Sequence, residues 1–359
     1  MSYTRPFTYQ SPTDLREACE LLSFGGEGAR IVAGGTDLLV RVKQGLSTPQ
    51  ILIDVKNIAE LKVLSFHSDR GLMLGSGLLL RRIETDPLIA EMCPALALTA
   101  SKVASYPIRW MGTLGGNLCQ ETMCWYYNQS SLWRHSQPEC FKSGGAECTL
   151  VHQPEVCYSV YRGDLAVVLM ALDAEVTLVS QKGERIVPLA SLFQGKGEAP
   201  LAVAPDEILT SILIPNPALN RQASYQKLSF RSAVDYPLAS AAVSMEGEDP
   251  KNLNPSTARV TLGAMGPAPV RCVEAEKVLA DFWGQEQMWK KLTASLKPYT
   301  HPVHNLSHGW PGYRREMAAV MVRRAVEELQ GRTPSPLPSP RGRGGWGYPH
   351  NAQVTNNAW

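Results

Sequence analysis

No run of eighteen apolar residues occurs in the 359-residue chain, so no helical membrane span is expected. The opening MSYTRPFTYQSPTDLREA lacks the apolar core of a secretory signal, and the chain is expected to remain in the cytoplasm. There disulfides seldom persist. Charge of one sign is also missing. A net charge of +2 gives a polyanion little to hold, which argues against a nucleic-acid partner. No Ser-His-Asp pattern or paired-carboxylate motif stands out, so the chain has no obvious acid–base engine and reads as an electron carrier or a binding subunit. The dinucleotide fingerprint G-x-G-x-x-G and the phosphate-loop G-K-[ST] are absent as well.

Hydrophobic content of 44% and charged content of 19% describe an ordinary globular protein, at a length that favours two or three domains. Residues 1–56 read as a small α/β unit. A helix over Asp14–Ser23 is capped by Thr13 or Asp14, the strand Ala29–Ala33 leads into a Gly34-Gly35 turn, Thr36 opens a second helix that Gly45 ends, and Gln50–Asp54 is the next strand. Residues 57–215 carry strand-like runs at KVLSF and LMLGSG, helical pieces from Leu80 to Ser105, a long loop, a helix at Asp164–Ala174 and strands at EVTLVS, RIVPL and DEILTSILI. Pro215 and Pro217 mark a boundary. Residues 216–330 read as a second α+β domain, with strands at SYQKLSF, LASAAVSM and ARVTLGAM and helices at Val273–Leu296 and Tyr313–Gln330. Residues 331–359 are rich in Pro, Gly and Ser and read as a disordered tail without assigned function.

Two glycine turns stand out. AGGTDLL (Ala33–Leu39) places a Gly-Gly turn between strand and helix, and TLGGN (Thr113–Asn117) repeats the device eighty residues later. Either alone reads as a tight turn. Together they suit a nest of backbone amides around one pyrophosphate.

Five of the eight cysteines fall within 39 residues. Cys119 is followed by Cys124, Cys140, Cys148 and Cys157, the last four at steps of 16, 8 and 9. Structural zinc favours close C-x2-4-C pairs, and only Cys119 and Cys124 come near that. Thiolates on these longer gaps suit an iron–sulfur cluster at least as well, and the spacing leaves cluster, zinc and neither open. Trp125, Tyr126, Tyr127 and Trp133 would shield such a centre. Cys19, Cys93 and Cys272 sit in apolar contexts and read as core residues. His301, His304 and His308 have a metal-like look, but they lie in a Pro-containing loop without a carboxylate and read as solvated.

The AGGTDLL and TLGGN motifs, together with GDLAVVLMALDAEV, DEILTSILIP, YQKLSFRSAVDYPLAS and YRREMAAVMVRRA, resemble the flavin-binding subunits of the xanthine dehydrogenase family of molybdenum hydroxylases. The resemblance covers roughly residues 1–330. Most such subunits pass straight from TLGGN to the aspartate-containing helix. The four-cysteine insert looks like that of the β subunits of 4-hydroxybenzoyl-CoA reductases, which binds a [4Fe-4S] cluster.

This resemblance implies an α+β fold: FAD-binding subdomains at 1–56 and 57–215, the second with a Cys-rich insert at about 119–158, then an α+β C-terminal domain at 216–330. It implies FAD with its pyrophosphate on Val32, Ala33, Gly34, Gly35, Thr36, Asp37 and Leu38 and on Thr113, Leu114, Gly115, Gly116 and Asn117. Asp164, Lys227, Leu209 and Val103 would lie against the flavin or its nucleotide. Cys124, Cys140, Cys148 and Cys157 would hold the [4Fe-4S] cluster, leaving Cys119 out. The implied partners are a molybdopterin-binding large subunit and a small subunit with [2Fe-2S] clusters, in a dimer of heterotrimers, with ferredoxin as electron donor. The alternatives are an FAD subunit of a xanthine, aldehyde or CO dehydrogenase-type hydroxylase, or a zinc-stabilised binding or assembly module.

Overall fold

The computed structural model describes residues 5–334 except 153, 232 and 307–309. The tail beyond 334 and His308 therefore lie outside the described residues. The chain builds three sheets in succession. Strands β1 (Thr8–Gln10), β2 (Ala29–Val32) and β3 (Ile51–Asp54) form a parallel sheet in the order β1-β3-β2. The helix Leu15–Gly25 packs on β2 and β3 through Ala18, Cys19 and Leu22, one face of a 3.6-residue period. Asp14 caps it, accepting from the Glu17 amide at 2.8 Å. β1 escapes the sequence reading because its three residues are all exposed and carry no apolar signature. The second helix runs Leu38–Lys43 with Asp37, not Thr36, at its cap, and Gly45 follows its C-terminus at φ +65°.

Strands β4 (Leu64–His67), β5 (Gly71–Gly75), β6 (Glu175–Ser180), β7 (Gly183–Pro188) and β8 (Ile208–Pro215) form an antiparallel sheet in the order β4-β5-β8-β6-β7. Strands β9 (Arg221–Leu228), β10 (Ala239–Glu246), β11 (Asn254–Gly263) and β12 (Val270–Arg271) form the third, also antiparallel, in the order β12-β11-β10-β9. The architecture is α+β.

The helix Leu165–Ala171 joins the second and third sheets. Every one of its residues is buried, which explains why its sequence shows no polar face. Small residues of β10 let it approach: the Ser244 hydroxyl donates to Ala171 O, and a β carbon on Gly263 of β11 would lie 2.5 Å from Val167. The alternate residues Ala241, Val243 and Met245 belong to a separate core, shared with the helix Pro311–Leu329. Arg314 pins that last helix. Fully buried, it donates to Leu238 O at 3.1 Å, to Asn305 Oδ1 at 3.1 Å and to Ala264 O.

The cysteine-bearing segment leaves and rejoins the body at one point. Met123 and Val160 pair as an antiparallel bridge, each amide donating to the other's carbonyl at 2.8 Å. Between them lie a short helix at Ser131–His135 and a tight turn at Phe141–Ser143. Hydrogen bonds at several points hold this segment down. The Trp125 indole donates to His304 O at 2.7 Å, the Asn305 amide donates to Tyr158 O, and Arg134 donates to Gly45 O at 2.9 Å. Cys19, Cys93 and Cys272 are buried in apolar clusters, as their contexts suggest. His301 Nε2 lies 2.9 Å from Pro298 O, and His304 stacks on Trp310. No helix among the described residues is long and apolar enough to cross a membrane.

Candidate functional site

The two glycine turns meet. A β carbon on Gly34 would stand 2.0 Å from Met111 O, so the first turn lies directly against the chain that enters the second. Gly35 takes φ +69°, a conformation glycine adopts without strain. In the second turn Thr113 caps the helix Leu114–Leu118, its hydroxyl accepting from the Gly116 amide at 3.1 Å. The Gly115 amide donates to Ser76 O at 2.7 Å, which fixes this turn to the second sheet's region.

Between the turns opens a cavity of about 390 Å³, within the range of small-molecule sites. Ala33 to Leu38, Val103, Thr113, Gly115, Gly116, Asn117, Asp164 and Leu209 border it. Val32 and Leu114 are buried beside the turns and do not line the cavity. Lys227 also stands behind the wall. Its ammonium lies 3.2 Å from Asp164 Oδ1 and donates to Lys102 O at 2.9 Å. Tyr225 donates to Asp164 Oδ1 at 2.5 Å, and Lys102 donates to Tyr225 O at 3.1 Å. Burial raises the Asp164 carboxyl above its ordinary value, opposed by Lys227 and Tyr225, while burial lowers Lys102. Burial likewise raises Asp37, whose carboxylate accepts from the Glu121 amide at 3.4 Å. Arg162, Gln120 and Tyr236 also line the cavity. No local pattern in the sequence marks them.

The four loop cysteines come together. Cys124, Cys140 and Cys157 are buried and Cys148 is half-buried, all are free thiols, and all four border one small pocket of about 10 Å³. Donors point at the sulfurs: the Ser159 amide to Cys157 at 3.4 Å, the Ser143 hydroxyl to Cys140 at 3.6 Å, and the amides of Tyr127 and Tyr126 to Cys124. Burial pushes the Cys157 thiol up to about 12 and raises Cys124 too. Tyr126 and Trp133 pack edge to face beside the pocket at 5.0 Å. No group of three or more His, Cys, Asp or Glu side chains among the described residues is arranged to hold a metal ion. Cys119 sits apart, on the wall of the larger cavity.

Residues 5–217 match the family described as the FAD binding domain in molybdopterin dehydrogenase, and residues 223–329 match the CO dehydrogenase flavoprotein C-terminal domain. The carbon monoxide dehydrogenase medium chain of Afipia carboxidovorans is 28% identical over 91% of this chain and 97% of its own length. The nicotinate dehydrogenase FAD-subunit of Eubacterium barkeri is 25% identical over 87% of this chain and 92% of its own. Among solved structures, reconstituted CO dehydrogenase from Oligotropha carboxidovorans superposes with a TM-score of 0.74 at 27% identity. It covers 92% of this chain and 100% of the solved one.

Fold and cavity thus define a flavoprotein component of an oxidoreductase. The chain belongs to the FAD-binding subunits of the molybdenum hydroxylase family, the xanthine and CO dehydrogenase group, and FAD is its cofactor. The cavity fits such a group. A β carbon on Gly116 would meet the protein only at Thr113 Oγ1, 3.0 Å away, and would otherwise enter the space a cofactor needs.

Proposed function

We propose that this chain is the FAD and iron–sulfur electron-transfer subunit of a 4-hydroxybenzoyl-CoA reductase-type enzyme. In that role it takes electrons from ferredoxin and delivers them to partner subunits carrying [2Fe-2S] clusters and molybdopterin, within a dimer of heterotrimers. The observation that carries the reading is the convergence of Cys124, Cys140, Cys148 and Cys157 on one pocket, with amide and hydroxyl donors aimed at sulfur. Such donors stabilise thiolate ligands and raise a cluster's potential.

The glycine turns Ala33–Leu38 and Thr113–Asn117 would hold the FAD pyrophosphate on backbone amides. Leu209 and Val103 would exclude water from the ring, and Lys227 would act through Asp164, which it orients. When bound, FAD supplies two-electron and one-electron transfer. Cys124, Cys140, Cys148 and Cys157 would hold the [4Fe-4S] cluster, in a pocket that must open from its closed form, and Trp133 and Tyr126 would keep water off it.

Anaerobic purification followed by iron, sulfide and zinc analysis tests the cluster. About four iron and four sulfide per chain are expected. Stoichiometric zinc without iron overturns the cluster and leaves a zinc-stabilised module. The relatives favour a second reading, an ordinary FAD subunit of a xanthine or CO dehydrogenase-type hydroxylase with an inert insert. Unchanged turnover of the assembled enzyme after Cys140→Ser and Cys148→Ser would select it.

A further inference from the structure

The guanidinium of Arg162 stands in the wall of the flavin cavity, attracted by Asp235 and Asp164 only from beyond salt-bridge distance. Its Nε is shielded from solvent and makes no hydrogen bond. Nη1 finds only the weak acceptor Met123 Sδ, at 3.9 Å. The ring of Tyr236, centred 4.3 Å from the guanidinium carbon, fixes its plane but cannot neutralise a full charge. Nearby carboxylates are engaged elsewhere: Asp164 with Lys227 and Tyr225, Asp235 with Arg231 and with the amides of Arg231 and Tyr236. Among the described residues no carboxylate lies within salt-bridge distance of Arg162. The buried guanidinium of Arg314 adds repulsion.

Burying a cation without a counter-ion is costly unless a ligand supplies the charge. Of the other cations around the cavity, Lys227 is matched by Asp164 and Arg109 by Glu84, while Lys102 is turned to Tyr225 O and its ring. The glycine turns contribute dipoles and no net charge. We propose that Arg162 is an anion-binding residue of the FAD site, meeting the cofactor's negative charge on its pyrophosphate or on the ring once reduced. The proposal rests on the cavity being that site.

The test uses the full chain and the variants R162Q and R162K. Its readouts are dissociation constants for FAD and for riboflavin, which lacks phosphate, and the midpoint potential of the bound flavin. R162Q is expected to weaken FAD tenfold or more and R162K to recover most of the loss. A pyrophosphate contact leaves riboflavin binding unchanged. A ring contact weakens riboflavin too and lowers the midpoint potential, because a cation favours the reduced ring. The FAD-free R162Q chain should melt no lower than FAD-free wild type, since an unmatched buried charge has been removed. Wild-type affinities and potential in R162Q overturn the proposal. FAD retained by a Gly34→Val, Gly116→Leu double variant would place the cofactor elsewhere and remove the proposal together with its site. That result is separable from the R162Q measurement.

Discussion

Gly34 and Gly116 border the same cavity but differ in what a side chain would meet. At Gly34 the obstacle is backbone, Met111 O at 2.0 Å, which can yield only if two loops separate. At Gly116 it is one hydroxyl at 3.0 Å, with open cavity beyond. Gly34→Ala should therefore yield a folded protein without bound flavin, whereas Gly116→Ala should keep FAD with weaker affinity. Visible absorbance of the purified variants, with circular dichroism as the check on folding, decides it; a yellow Gly34→Ala protein would refute the claim. Both glycine turns were readable in the sequence because a turn is local and its glycines are spaced by the turn itself. Lys102, Arg162, Tyr225 and Tyr236 were not. They reach the cavity region or its Asp164 from four separate segments, and only the tertiary fold brings them together.

Among elements, the helix Leu165–Ala171 carries the most weight for its length. It packs on the second sheet's core and on β10, and all of its residues are buried. Leu169→Ala should cost about 2–5 kcal/mol of unfolding free energy, the range for emptying a buried leucine site. Urea titration of the flavin-loaded protein measures it. A loss below about 1 kcal/mol would mean the surrounding core collapses to fill the space. The apolar run Asp164–Ala174 announced this helix, but its end was misplaced because Asp173 turns the chain at φ +49°, a conformation aspartate tolerates without marking it in the pattern. The second helix begins at Leu38 behind Asp37 rather than at Thr36, since either residue type can stand at the cap. β1 carried no signal at all, and its pairing with β3 alone makes it a strand.

For the whole molecule, the cavity is a meeting place. Its wall takes the turn after β2, the helix Leu114–Leu118 and the segment Val234–Tyr236 between β9 and β10, one contribution from each of the three sheet regions. A ligand there binds only the assembled arrangement, so FAD should raise the melting temperature in a concentration-dependent way. The expected stabilisation is about 4 kcal/mol at a thousandfold excess over its dissociation constant. Calorimetry across an FAD series checks this, and a melting temperature indifferent to FAD would contradict it.

The Met123–Val160 bridge has a further consequence. Because the cysteine-bearing excursion departs and returns through a single doorway, its loss would ask the flanking strands and helix to move very little. Such an excursion is therefore a detachable cassette, which flavoproteins of this architecture can gain or shed over evolutionary time without redesigning the chassis that carries the flavin.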